Sequence, residues 1–353
     1  MHAHCALFSS PPGIRAVAPL RRSCKSVAGA PRYTRPMSKL AARLLYWLAA
    51  AFARLPWAWL RAMADALAAL WLRLDAREAR VANRNLELIG PQWPPAQRAA
   101  LLREVLRSTA RQLLETLRLW TRPHAQNLAL IREEHGVAAF DAAIAAGRGV
   151  IVAAPHHGNW ELLNQWLAAH TPLAILYRPP DSAVGEAFLR IVRAHGSDHR
   201  VRGDADAASK DRVTQVRADG RGVRELFRIL KAGGVVGILP DQQPKAGDGV
   251  LAPFFGLPTY TMTLLGRMAE RSGAAVLFAW CERIDDALGF ALHIEPAPAA
   301  IGASDAAVST AALNAAVEAI ARRDLAQYQW TYKRFRLKPS RDHAENPYRD
   351  TRR

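Results

Sequence analysis

The sequence predicts an α/β protein, a mixed sheet flanked by helices, preceded by helices that associate with a membrane. Three observations carry this. From residue 149 onward, short apolar runs alternate with amphipathic stretches, the texture of strands buried between helices. Apolar runs end directly in polar clusters at residues 155–161, 177–181 and 240–244, the strand ends where α/β proteins place ligands. Ahead of them, residues 44–74 are rich in Leu, Ala and Trp with few charges.

Residues 1–36 hold Arg15, Arg21, Arg22, Lys25, Arg32 and Arg35, no acid, no periodicity and no apolar run long enough for a signal peptide. They are expected to be a disordered or mis-annotated leader, with Met37 as the true start. Residues 37–75 read as a membrane-associated helical segment. Its apolar run, with Tyr46, Trp47 and Phe52, is interrupted by Arg54, Pro56, Arg61 and Asp65, so it lacks the roughly 18 uninterrupted residues of a clean span. Trp47, Trp57, Trp59 and Trp71 recur beside Arg43, Arg54, Arg61 and Arg73, a pairing that suits the headgroup layer. An embedded or interfacial helix is expected; a buried helical hairpin broken at Pro56 is the alternative.

Pro94-Pro95 opens a helix running to Trp120, with Leu101, Leu102, Val105, Leu106, Leu113, Leu114 and Leu117 as its stripe. Residues 136–146 read as a short helix, 149–153 as a buried strand and 160–169 as the helix after it. A strand at 173–177 and a helix at 184–194 follow. The polar stretch 201–217 has no core face and reads as a loop. A helix at 221–231 stops at Gly233-Gly234, and 235–239 is another buried strand. A helix at 264–271, strands at 275–280 and 290–294 and an Ala-rich helix at 306–321 complete the pattern, before a basic tail at 339–353.

Among the 353 residues, 48 Lys and Arg stand against 31 Asp and Glu, a net charge of +17 that attracts an acidic partner. Zinc, helix-turn-helix and RNA-binding aromatic signatures are missing from the sequence, which argues against nucleic acid. Cys5, Cys24 and Cys281 make neither a disulfide framework nor a metal-ligand spacing, which points to a reducing compartment.

The first polar cluster reads His156-His157-Gly158-Asn159-Trp160-Glu161. On a continuous helix His156 and Glu161 would lie about 140° apart. They can meet if the chain turns at Gly158-Asn159, with Asn159 as N-cap and Glu161 in the first turn, where the helix dipole favours a carboxylate. A carboxylate beside an imidazole fixes its tautomer and makes it a better general base. A structural histidine near a helix start would show the same pair. His157 and Glu161 have the i, i+4 spacing of metal ligands, but a third ligand, from His170 or His195, would need a tertiary accident, and no metal is expected. In the second cluster Arg178 precedes Pro179-Pro180, so its backbone is stiff and its guanidinium suits a phosphate or an oxyanion; an Arg178–Asp181 pair across a turn is the structural alternative. In the third, Asp241 is placed to orient Arg178 or bind a substrate hydroxyl, or simply to start a turn, with Gln242 beside it.

Taken in order, these clusters resemble the lipid A biosynthesis lauroyl/myristoyl acyltransferase family, whose hallmark is His-x4-Glu within His-x-Gly-Asn-Trp-Glu. The Tyr177-Arg178-Pro179-Pro180-Asp181 segment, the Leu-Lys-x-Gly run at residues 230–233, Pro240-Asp241-Gln242 and Phe254-Phe255-Gly256 add to the likeness. So do Asn83-Arg84-Asn85-Leu86 and, near the end, Gln329-Trp330 followed by Lys333-Arg334-Phe335. The likeness covers residues 44–338 and implies a glycerolphosphate-acyltransferase-like fold, with the acyltransferase domain at 76–338. It also implies that His156, oriented by Glu161, deprotonates a hydroxyl of a lipid A precursor, which attacks the thioester of an acyl chain on acyl carrier protein. Asn159, Arg178, Asp181, Asp241 and Gln242 would bind substrate, with no cofactor, no metal and no acyl-enzyme. An anionic membrane surface, at the cytoplasmic face of the inner membrane, would be the place of work. A glycolipid, an aminolipid or a lysophospholipid is the alternative acceptor. Three departures stand out: His157 occupies a position usually apolar, Ala326-Gln327-Tyr328 stands where the family commonly has an acid, and the polar stretch 201–217 reads as a lineage-specific loop.

Overall fold

The computed structural model describes residues 36–177, 182–196, 213–336 and 346–352. The leader to residue 35, Arg178, Asp181 and residues 201–212 of the expected loop lie outside the described residues.

Four helices come first: α1 (Pro36–Phe52), α2 (Trp57–Arg73), α3 (Arg77–Ile89) and the 27-residue α4 (Pro95–Thr121). Pro56 separates α1 from α2, and Pro95 starts α4 at a first-turn position where its missing N–H costs nothing. α2 lies along α4, burying Leu60, Ala64 and Ala68, one residue per turn. A short helix, α5 (His124–Leu128), leads into the sheet.

The sheet has seven strands in the order β1-β9-β8-β2-β5-β3-β4. These are β1 (Ile131–His135), β2 (Val150–Ala153), β3 (Leu173–Tyr177), β4 (Val213–Arg217), β5 (Val235–Ile238), β8 (Ala275–Arg283) and β9 (Phe290–Pro296). All neighbours are parallel except β8 and β9, so the sheet is mixed as expected. The crossovers run through α6 (Val137–Ala145), α7 (Trp160–His170), α8 (Ala183–Gly196), α9 (Gly220–Lys231) and α10 (Leu264–Ser272), with α11 (Ala306–Arg323) after β9. β2 is covered on both faces: Ile151 and Ala153 join the core shared with α2–α4 and α9–α11, and Val150 and Val152 join the one shared with α6 and α7.

Two strands differ from the sequence reading. Residues 213–217, expected in the loop, form β4, an edge strand parallel to β3. β1 reads Ile-Arg-Glu-Glu-His, and its four exposed positions on a sheet edge leave no apolar alternation to detect. A hairpin of β6 (Gly249–Phe254) and β7 (Leu257–Met262) was also unforeseen. Its two-residue turn, Phe255-Gly256, has both φ angles positive, the geometry that matches strand twist.

Asn346–Thr351, inside the stretch read as a basic tail, folds against α3. Tyr348 is buried there, its hydroxyl 2.5 Å from Asn85 Oδ1.

α1 packs Ala42 and Tyr46 against Ala187, Phe188 and Val192 of α8. Its opposite face, Leu40, Leu44, Trp47 and Leu48, is exposed, as are Trp59, Met63 and Leu70 of α2 and Leu74 just after it. Trp57 and Trp71 turn partly inward, Trp57 donating its indole N–H to the Asp286 carbonyl at 2.8 Å. Among the described residues no helix is long and apolar enough to cross a membrane.

Candidate active site

β2, β5 and β3 are adjacent and parallel, with Ala153 level with Ile238 and Leu173 level with Val235. Their carboxyl ends therefore open side by side, and the first and third polar clusters leave from neighbouring strands. His156 follows β2 and Asp241 follows β5. The Asp241 carboxylate takes both groups His156 offers: the backbone N–H at 2.8 Å and Nδ1 at 2.7 Å. The sequence offered Arg178, a substrate hydroxyl or a simple turn as the role of Asp241; Arg178 lies outside the described residues, and the partner the structure gives the carboxylate is His156.

Asp241 is almost wholly buried. Burial by itself would raise its carboxyl above the ordinary range, but the His156 charge and hydrogen bonds, helped by the Arg334 charge, bring it below. An ionised Asp241 can only accept, so Nδ1 carries the proton and the Nε2 lone pair is free to accept one. Gln242 Nε2 lies 3.1 Å from His156 Nε2 and 3.4 Å from Gln329 Oε1. The Trp160 ring meets the imidazole edge-on at 4.8 Å.

His157 faces the other way. It is fully buried, and neither ring nitrogen has a hydrogen-bond partner among the described residues. Burial outweighs the nearby Glu282 and Asp324 and pushes its pKa down to about 4, so the ring is neutral at neutral pH. Its backbone pairs with Tyr328 in an isolated antiparallel bridge. His156 is thus the histidine at the strand mouth, and His157 is the neighbour that anchors the loop.

Gly158 takes φ +61, and a Cβ there would sit 1.9 Å from the Cys281 carbonyl oxygen. That left-handed residue is the bend the motif required. Asn159 caps α7, accepting from Leu162 N at 3.2 Å, and donates Nδ2 to Glu115 Oε2 at 3.1 Å. It is fully buried with both ends of its amide engaged inside the protein. Glu161 stands half-buried in the first turn of α7, as the motif predicts, while the partners of the His156 ring nitrogens are Asp241 and Gln242.

Sequence reasoning missed the groups behind the loop. Glu115 of α4 and Arg283 at the end of β8 form a buried ion pair, with Nε–Oε1 at 2.6 Å and Nη2–Oε2 at 3.0 Å. One signal was available: Glu115 follows Leu114 directly on the face α4 turns to the core. Gln329 donates its N–H to the His156 carbonyl at 3.0 Å, so the Gln329-Trp330 segment belongs to the site. Arg334 is buried under the hairpin, bonded to the Tyr260 carbonyl, Thr261 and Asn314.

Residues 34–337 match the family described as bacterial lipid A biosynthesis acyltransferase. The chain is 27% identical over 308 residues to the lipid A biosynthesis palmitoleoyltransferase of Escherichia coli, covering 83% of this chain and 92% of that protein. It is 25% identical over 287 residues to the lipid A biosynthesis lauroyltransferase of the same organism, covering 81% and 88%. A phosphatidylinositol mannoside acyltransferase of Mycobacterium tuberculosis is 28% identical over 207 residues, 56% of this chain and 60% of that protein.

Proposed function

The chain belongs to the bacterial lipid A biosynthesis acyltransferase family and is an acyltransferase, and from that premise we propose that it moves a fatty acyl chain from acyl carrier protein to a hydroxyl of a lipid A precursor, with His156 as general base. His156 Nε2 takes the hydroxyl proton as the oxygen bonds to the thioester carbonyl carbon. The tetrahedral oxyanion then collapses, the C–S bond breaks, and the leaving thiolate receives the proton from the imidazolium. Asp241 keeps Nδ1 protonated and stabilises the imidazolium between the two steps. Gln242 holds the place beside Nε2 that the hydroxyl takes when substrate enters. Glu161 balances charge from the first turn of α7. Arg178 meets the acceptor's phosphate or the oxyanion, and Asp181 serves the same substrate.

The observation that carries this reading is the Asp241 clamp on His156 at the mouth of β2. It supports a preorganised base with one nitrogen held and the other open to exchange. The test is turnover of acyl carrier protein thioester with a lipid A precursor: His156→Ala is expected to abolish transfer, and retained turnover would remove His156 as base.

A second acceptor class is favoured by one finding, the likeness to the mycobacterial phosphatidylinositol mannoside acyltransferase. A panel of acceptors (lipid A precursor, phosphatidylinositol mannoside, aminolipid, lysophospholipid) separates the two, because the best kcat/KM identifies the hydroxyl the site accepts.

The chain works at the cytoplasmic face of the inner membrane. Support comes from the exposed apolar faces of α1 and α2, with Arg43, Arg54 and Arg73 exposed around them, and from the +17 charge. α1 is apolar on the side that packs on α8 and also on the side that faces out, a pattern suited to lying in a headgroup layer. The same charge suits the acidic acyl carrier protein.

A further inference from the structure

A buried ion pair is a poor way to stabilise a fold, since well-packed apolar side chains of similar volume often do as well or better. Glu115 and Arg283 form such a pair, with the Glu115 side chain wholly out of solvent and that of Arg283 nearly so. Their third contact shows what the pair holds. Glu115 Oε2, already accepting from Arg283 Nη2 at 3.0 Å, also accepts from Asn159 Nδ2 at 3.1 Å. The other end of that amide caps α7.

The same two elements grip the rest of the turn. Gln112, one helical turn before Glu115, donates Nε2 to the Gly158 carbonyl at 2.8 Å. Asn159 N donates to the Cys281 carbonyl at 2.8 Å, two residues before Arg283, and Gly158 N donates to the Gln327 carbonyl at 3.1 Å. Gln327 in turn exchanges two hydrogen bonds with the Arg283 backbone, at 2.8 and 2.9 Å. Every polar group of Gly158 and Asn159 is thereby engaged, counting the Asn159 carbonyl that accepts from Leu163 N at 3.3 Å. The base His156 sits two residues before Gly158, joined to this pinned turn through the buried His157.

We infer that Glu115 and Arg283 are positioning residues for acyl transfer: their buried ion pair holds Asn159, and through it the loop that sets His156 against Asp241. Asn159 is then a strut between α4 and α7 and makes no contact with substrate. Glu115 supplies two acceptor oxygens aimed at three donors, a count that glutamine cannot meet because its amide nitrogen would face the Arg283 or Asn159 donors. The inference rests on His156 being the base. A shift of about 1 Å at a catalytic group, transmitted from residues that never touch substrate, is enough to cost roughly 100-fold in rate.

The test uses the full-length protein in lipid vesicles, with acyl carrier protein thioester as donor and lipid A precursor as acceptor. Asn159→Ser keeps a good helix cap and drops the link to Glu115, so the fold is retained even if Glu115→Gln fails to fold. Expected for Asn159→Ser and Glu115→Gln is a fall in kcat of about 10- to 100-fold with KM for both substrates unchanged. The acid limb of the kcat/KM profile shifts with it, Glu115→Asp recovers part of the rate, and the double variant is no slower than the worse single. A kcat per folded molecule within twofold of the parent, with only the melting temperature lowered, overturns the inference and leaves the pair structural. His156→Ala run alongside distinguishes the two failures. A dead His156→Ala with a fully active Asn159→Ser sinks the positioning role alone, whereas an active His156→Ala sinks the base and the positioning role together.

Discussion

His156 and Asp241 stand 85 positions apart in the chain and meet through two hydrogen bonds, backbone N–H to Oδ2 at 2.8 Å and Nδ1 to Oδ1 at 2.7 Å. The carboxylate therefore fixes where the histidine's backbone runs as well as which ring nitrogen carries the proton. Single changes at this pair separate those effects.

Asp241→Asn preserves size but can present its NH2 group to Nδ1, which favours the wrong tautomer. A loss of about 10⁴ in kcat is expected, by analogy with the same change in a Ser-His-Asp triad. Steady-state turnover with circular dichroism as fold control measures it. Because the Asp241 carboxyl lies below its ordinary value in the folded chain, its contribution to stability is present above about pH 3.9 and fades as pH falls through the lower folded value. Acid unfolding of Asp241→Asn should lack that increment.

Glu161→Ala asks a different question of the same site. Near-complete loss of transfer with unchanged melting temperature is expected if Glu161 balances charge on the base. Retained turnover, measured beside Asp241→Asn, would leave Asp241 as the sole carboxylate partner of His156.

His157 is expected to make the protein acid-sensitive. Its pKa is pushed down to about 4 by burial, so between roughly pH 6.5 and 4 the unfolded chain binds a proton the folded chain refuses. Stability falls as pH drops through that window, by roughly 3 kcal/mol at most. His157→Leu removes the titrating group and fills the pocket with apolar volume. Its melting temperature should change less than the parent's between pH 7 and pH 4.5; an identical slope would show that another group carries the dependence.

Gly158→Ala puts a methyl 1.9 Å from the Cys281 carbonyl oxygen at φ +61. Backbone strain of about 1–3 kcal/mol is expected, together with displacement of the His156 loop. Chemical denaturation reads the first and turnover the second.

Leu44→Glu with Leu48→Glu charges the exposed face of α1 while leaving Ala42 and Tyr46 on α8. Co-sedimentation with vesicles containing anionic lipid should fall at least 10-fold, since each leucine contributes about 1.5–3 kcal/mol when fully buried. Undiminished binding would place the membrane contact elsewhere.

Much of the architecture was legible because the central strands are buried on both faces. Residues 150–153, 173–177 and 235–238 are continuous apolar runs, and the polar clusters behind them marked the mouth of the sheet. The turn at Gly158-Asn159 was legible too, because a left-handed glycine and a cap are local needs. β1 and β4 were not, since edge strands are half in water and carry no obligatory pattern. The Trp57 hydrogen bond was not legible for a related reason: composition cannot say which indole of a helical hairpin finds a carbonyl to donate to.

By itself, then, the sequence determined the α/β class through its alternating apolar runs and His156 at the end of β2 through local spacing, and its motifs resembled those of the family the chain belongs to. Which carboxylate would reach Nδ1 was decided only in three dimensions. Asp241 meets His156 because β2 and β5 are hydrogen-bonded neighbours with Ala153 level with Ile238. Glu115 and Arg283 come together from 168 positions apart because α4 crosses behind the loop where β8 ends. Such contacts follow from strand order and helix packing, which hydrophobic burial settles over the whole chain at once, and no local pattern records them.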